Sequence, residues 1–213
     1  MDWVGRNQRF LLLSGLIAPV FLVCGVMLVT WLSPDHLWVS QYTSALASRN
    51  ASHELLVRFG LFLPYAILIL CFGIGLRSWG PTSLPVKFGS WLLIAYSVSV
   101  ALGIIYNCDA GCPSAGGSTS QVIHNYASGV GTILIFLVPA CFAVYFRHVD
   151  DNQPMYASCV VAMFLAAAII VVPNEYEPAA DYVGLVQRAT YLVLLAWLVI
   201  LARYTLGRQV VQV

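Results

Sequence analysis

The sequence predicts an all-α integral membrane protein, a six-helix bundle with both termini cytoplasmic, and three observations predict it. Of 213 residues, 60% are hydrophobic and only 9% charged, with a mean hydropathy of +0.84, which lies outside the balance of a water-soluble domain. Six apolar runs, over 10–32, 55–76, 88–106, 122–146, 155–173 and 182–206, each have about the 20 residues a helix needs to cross a hydrocarbon core of about 30 Å. The cations are lopsided. With the N-terminus inside, Arg6, Arg9, Arg77, Lys87, Arg147, Arg203 and Arg208 fall on the cytoplasmic side and only Arg49, Arg58 and Arg188 on the outer side, as the positive-inside rule requires. The formal net charge of +1 leaves no basic surplus for nucleic acid.

Taken in order, the first run follows Arg6 and Arg9, but it is longer than a signal-peptide core and lacks a small-residue cleavage site, so it reads as an uncleaved span. The outer segment 33–54 carries Ser40-Gln41-Tyr42-Thr43-Ser44-Ala45-Leu46, a polar and aromatic stretch suited to the interface. It also holds Asn50-Ala51-Ser52, a glycosylation sequon that matters only in a secretory pathway. Glu54 stands four residues before Arg58, the favourable order for an ordinary helical ion pair. The connections 80–85 and 148–154 are short and turn-like, whereas the outer segments 33–54 and 107–121 have the length of functional loops. Ser118-Thr119-Ser120-Gln121 has capping-box spacing and starts the fourth helix near Ser118. Gly15, Pro19, Pro64, Gly129, Gly131 and Pro139 fall inside spans, where neighbouring helices satisfy freed backbone groups and small residues allow close contact.

Side and organisation follow from the same residues. Six acids, Asp35, Glu54, Asp109, Glu175, Glu177 and Asp181, make the outer face acidic. Trp31, Trp38, Tyr42, Tyr106, Tyr126, Tyr176 and Tyr182 form an outer aromatic belt, with Trp3, Trp79, Tyr145, Tyr156 and Tyr204 as the inner one. The location expected is the cell (inner) membrane. No internal repeat is evident, so residues 1–213 read as a single six-span domain, and a transporter of inverted halves is disfavoured along with its missing mid-depth charges.

Polar chemistry concentrates between Cys108-Asp109-Ala110-Gly111-Cys112-Pro113 and His124. His124 lies in the second turn of the fourth helix and shares a face with Ala127, Ser128 and Gly131, so it points into the bundle. It is either an interfacial histidine satisfied by one hydrogen bond or a functional group. Asp109 is placed to orient His124, pair with an arginine or ligate a metal, and its bland alternative is a turn aspartate bonding its own backbone. Arg188, after Gln187, reads as an anion or lipid-phosphate contact with Asp109 as its partner, or as a snorkelling side chain. Cys108 and Cys112 are expected to form a disulfide, with free thiols or a redox pair as alternatives; Cys24, Cys71, Cys141 and Cys159 read as small buried hydrophobes. No second cysteine pair completes a zinc site, and metal binding would need His36, His53, His124 and Asp109 to converge, so no metal set is assigned. Ser44 lacks a nucleophile elbow and is structural unless it stands beside His124.

Several short segments in a fixed order resemble a known family. They are Gly15-Leu16-Ile17-Ala18-Pro19-Val20, Ser40 to Leu46, the turn at Asp109, His124 at the head of span four, and Gly184-Leu185-Val186-Gln187-Arg188. Together they resemble the bacterial and archaeal membrane proteins grouped as domain of unknown function 998, over nearly the whole chain. The resemblance implies a multi-pass inner-membrane protein without an assigned reaction. The expected site is an outer-leaflet pocket of Asp109, His124, Gln187 and Arg188 with Ser44 at its rim, binding a membrane lipid headgroup or small amphiphile. The alternative is a lipid hydrolase or transferase in which His124 is the base and Asp109 orients it. Cofactor and oligomeric state are left open.

Overall fold

A computed structural model describes residues 3–79, 83–148, 152–174 and 179–210. Among them no strand occurs, and six helices are long and apolar enough to cross a membrane. These are α1 (Trp3–Leu32), α2 (Leu63–Ser78), entered through a π-helical turn at Leu56–Phe62, α3 (Leu84–Ile105), α4 (Thr119–Arg147), α5 (Gln153–Asn174) and α6 (Val183–Val210). Short 3-10 turns occupy Thr43–Ala47 and Ala179–Tyr182. The predicted turn at Gly80-Pro81-Thr82 and the predicted outer residues Glu175, Tyr176 and Glu177 lie outside the described residues.

Each helix packs on the next, and α6 returns to α1, so the six close into a ring. Lipid is as apolar as leucine and supplies no hydrophobic drive between helices, so close packing must hold the ring. Glycines at the crossings provide it: Gly15 lies against Phe72, Gly75 against Leu11 and Gly89 against Phe142, each too near for a Cβ. Pro64 explains the π turn. Proline has no N–H and its ring crowds the carbonyl four residues back, and here the preceding turn widens so that the Leu63 N–H reaches the Arg58 carbonyl.

The ring is filled unevenly. Its terminal half is a packed core of Leu12, Phe72, Leu76, Leu93, Phe142, Phe146 and Trp197, all essentially inaccessible. Trp79 belongs to this core, its ring 5.9 Å from Tyr204 and 6.3 Å from Tyr145, and its Nε1–H donates to the Thr205 carbonyl. Of the expected inner aromatic belt, Trp79, Tyr145 and Tyr204 pack on one another at the ends of α2, α4 and α6. Trp31, Trp38, Tyr126 and Tyr182 at the opposite end do face outward. Of the cysteines within spans only Cys159 is buried, and Cys24 is exposed on the outside of α1. The long-loop half of the ring is hollow.

Candidate functional site

The two long loops fold onto each other and cap the hollow end. The Arg49 N–H donates to the Cys108 carbonyl at 2.9 Å, and Asn107 Nδ2 donates to Glu54 Oε1 at 2.8 Å. At the start of α4, Ser118 is the N-cap and its Oγ accepts the Gln121 N–H. Only half of the expected capping box forms. The Ser118 N–H goes instead to Asp109 Oδ2 at 2.7 Å, and Ser118 Oγ–H to Asp109 Oδ1 at 2.8 Å. Gln121, fully buried, turns to the loop: its Oε1 accepts the Asp109 N–H at 2.7 Å, and its Nε2 donates to the Pro113 carbonyl and to Asn125 Oδ1. Asp109 also pairs with Arg49 at 3.3 Å. The Ser118 bonds first, and Arg49 after them, hold the Asp109 carboxyl below its ordinary 3.8. Gly117 has φ +89°, and a Cβ there would strike Asp109 Oδ2, so the turn requires glycine.

His124 closes the end of α3. Its Nδ1–H is shared between the carbonyls of Gly103 at 3.1 Å and Tyr106 at 3.0 Å. Of the two carbonyls between them in sequence, that of Ile104 accepts both Nε–H and Nη2–H of Arg58, and the Asn107 carbonyl accepts the Ser120 Oγ–H. Helix ends leave carbonyls without partners, and here side chains of α4 and the π turn supply them. The orienting role expected of Asp109 is filled by backbone carbonyls. With the proton on Nδ1, Nε2 carries the lone pair, and it faces Cys112 Sγ at 3.8 Å. Cys108 and Cys112 are joined in a disulfide, and Ser44 Oγ lies 3.2 Å from Cys112 Sγ.

Arg188 does not meet Asp109. Its Nη1 donates to the carbonyls of Trp38 (2.6 Å), Gln41 (2.9 Å) and Gly184 (3.0 Å), and its Nη2 to His36 Nε2 at 2.9 Å. Gln187 Oε1 accepts the Thr43 N–H, and the Leu185 N–H donates to the Val39 carbonyl. α6 thus staples the first loop across its whole turn. Gly184 permits the approach, since a Cβ there would collide with the Gln41 and Trp38 carbonyls. Burial, and then the Arg188 guanidinium, lower the His36 pKa from its ordinary 6.5, which keeps it a neutral acceptor.

Beneath the cap lies a cavity of about 790 Å³. Its walls are mainly apolar, with Leu22, Val26, Val100, Val186 and Leu195 among them; Tyr65 and Tyr96, hydroxyls 3.0 Å apart, stand deeper. His124, Gln187, Arg188, Ser44 and Cys112 all line it, whereas Asp109 and Cys108 do not. The four groups named for a metal do not converge: His36 is on Arg188, His53 on the Leu32 carbonyl and Asp109 on Ser118. Among the described residues the side chains of ligating type that lie together are instead Cys108, Cys112 and His124, whose two sulfurs and one imidazole nitrogen stand within 4.8 Å of one another, the sulfurs joined as a disulfide. Asn125, Tyr65 and Tyr96 are not among the site residues expected from the sequence, and Gln121 is expected there only as part of the α4 cap. Gln121 and Asn125 were detectable, since with His124 and Ser128 they form a polar stripe at helical spacing.

No curated protein matches the chain, and no solved structure does. A family model described as a protein of unknown function, DUF998, matches residues 16–204, from within α1 to within α6. The chain therefore belongs to the DUF998 family and has the architecture of a multi-pass membrane protein.

Proposed function

We propose that the protein binds a membrane lipid or comparable amphiphile, with the apolar part in the cavity and the polar end beneath the loop cap. The observation that carries this reading is the cavity, about 790 Å³, within the range of small-molecule sites, apolar over most of its wall and polar near the cap. The distribution of Lys and Arg supports an outer-leaflet position for it. The polar contacts differ from a simple anion clamp, because the Arg188 guanidinium is spent on loop carbonyls and on His36. The Asn125 amide is likewise held, by Pro113, Ser114 and Gln121, so the Tyr65–Tyr96 hydroxyl pair is left on the wall, which suits hydroxyl or amide chemistry better than a bare phosphate. No contact favours a hydrolase or transferase in which Asp109 orients His124, since Asp109 is engaged by Ser118 and Arg49.

Gly129 provides the test. It lines the cavity at an exposed position of α4, and a Cβ built on it meets nothing within 4 Å, so Gly129→Phe sets an aromatic ring at the cavity wall with room for its first carbon. Native mass spectrometry of gently extracted wild-type protein is expected to retain one amphiphile, and Gly129→Phe to lose most of it. Wild-type protein that emerges empty, or a variant that stays fully occupied, overturns the reading.

A further inference from the structure

The environment of the His124 lone pair is unusual. Both carbonyls that hold Nδ1–H leave Nε2 as an acceptor, and the atom it faces, Cys112 Sγ at 3.8 Å, belongs to a disulfide and has no proton to give. The imidazole is buried, as are both cysteines. The two sulfurs and an imidazole nitrogen all lie within 4.8 Å of one another. Ligand atoms around a tetrahedral Zn²⁺ at about 2.3 Å (sulfur) and 2.0–2.1 Å (nitrogen) stand about 3.5–3.8 Å apart, so parting the sulfurs is the main change a cation would ask for.

We infer that Cys108, Cys112 and His124 form a redox-gated binding site for a thiolate-preferring divalent cation, Zn²⁺ being the best fit, empty when the disulfide is closed and available when it is reduced. A dithiol donor supplies two electrons and two protons; its own sulfurs become a disulfide while the Cys108–Cys112 bond opens to two thiols. Binding Zn²⁺ then releases both thiol protons and gives a dithiolate–imidazole complex. The second shell is already built, because the carbonyls of Gly103 and Tyr106 fix the ring orientation and direct Nε2 at the sulfurs. Ser44 Oγ lies 3.2 Å from Cys112 Sγ, and Ser44, Cys112 and His124 all line the cavity, so a fourth ligand would reach the cation from that side. Three protein ligands with one position open towards a cavity is the arrangement of a reactive rather than a sealed structural zinc site. None of this depends on what occupies the cavity.

The test uses the full chain in detergent, in a background with Cys24, Cys71, Cys141 and Cys159 replaced by Ala so that no other thiol contributes. After anaerobic reduction with a phosphine and its removal, Co²⁺ is titrated in as the probe, followed by Zn²⁺ competition. The reduced protein is expected to bind one Co²⁺ with a thiolate-to-cobalt charge-transfer band that Zn²⁺ abolishes, and the oxidised protein to show no band. Cys112→Ala should remove the band. His124→Ala should weaken binding at least tenfold, in line with loss of one ligand. Because His124 also caps α3, His124→Gln serves beside it, keeping an amide donor for the carbonyls while lacking the imidazole ligand. Equal Co²⁺ binding by oxidised and reduced protein, or a full-strength band in Cys112→Ala or in well-folded His124→Gln, overturns the inference.

Discussion

Replacing Arg188 with Met should free the first loop while leaving the bundle intact. The guanidinium makes three contacts to that loop: two carbonyls, Trp38 and Gln41, and the His36 imidazole. Hydrogen bonds with a charged donor contribute about 1.5–3 kcal/mol when shielded, but these are partly open to water, and about 1 kcal/mol each is a fair reduced figure. The loop's docking should weaken by about 3 kcal/mol, which at 1.4 kcal/mol per decade is roughly a hundredfold in its opening equilibrium. Hydrogen exchange read by mass spectrometry on the solubilised full chain measures this directly. The amides to watch are Leu37, bonded to Gln41 Oε1, Gln41, bonded to the Leu37 carbonyl, and Thr43, bonded to Gln187. Arg188→Lys should fall between wild type and Met, because an ammonium keeps the charge but not the planar fork. Unchanged exchange over 37–43 would refute the staple. Equal acceleration throughout the chain would refute its locality.

Other expectations follow from the same contacts. Since the folded-state pKa of His36 lies below its ordinary 6.5, its contribution is present above that value and is lost as pH falls through the lowered one; loop exchange, corrected for intrinsic rate, should rise between pH 7.5 and 5.5 and do so less in His36→Gln. Asp109 also has a lowered pKa, so its hold on Ser118 is complete above about 3.8 and is lost as pH falls through the depressed value; Asp109→Asn should flatten that acid-side change in thermal midpoint. Ser118→Ala removes the α4 cap at a cost of about 1 kcal/mol, seen as a lower thermal midpoint in detergent. Tyr65→Phe deletes one partner of a buried hydroxyl pair, and about 1 kcal/mol of stability should go with it; an unchanged midpoint would mean that an occupant or water already serves Tyr96.

The spans were legible because a helix in lipid must satisfy its backbone internally, so length and apolarity alone mark it. The predicted 88–106 and 122–146 became Leu84–Ile105 and Thr119–Arg147, and the start near Ser118 was carried by a local cap. The Pro64 distortion was visible as a proline, but not as a π turn, since widening and kinking satisfy the same missing N–H. The site was only partly legible. That His124 points inward follows from its small-residue face, yet its partners are the carbonyls of Gly103 and Tyr106, and every residue carries a carbonyl. Arg188 invited a carboxylate or a phosphate for the same reason: side-chain charges show in a sequence, and free backbone acceptors at a turn do not.

By itself the sequence determined six crossings, their bounds to within a few residues, the side on which long loops gather and the Cys108–His124 stretch as the place where polar groups collect, all of them consequences of local composition and spacing. Only the tertiary structure decided that Asp109 serves Ser118 and Arg49 rather than His124, that α6 staples the first loop, and that the imidazole looks at two sulfurs across a cavity wall. The Arg49 and Arg188 pairings join segments far apart in the chain and are set by how a ring of helices closes, while the nearer ones, Asp109 with Ser118 and Cys112 with His124, depend on how the loop folds back over the start of α4, which no local pattern encodes.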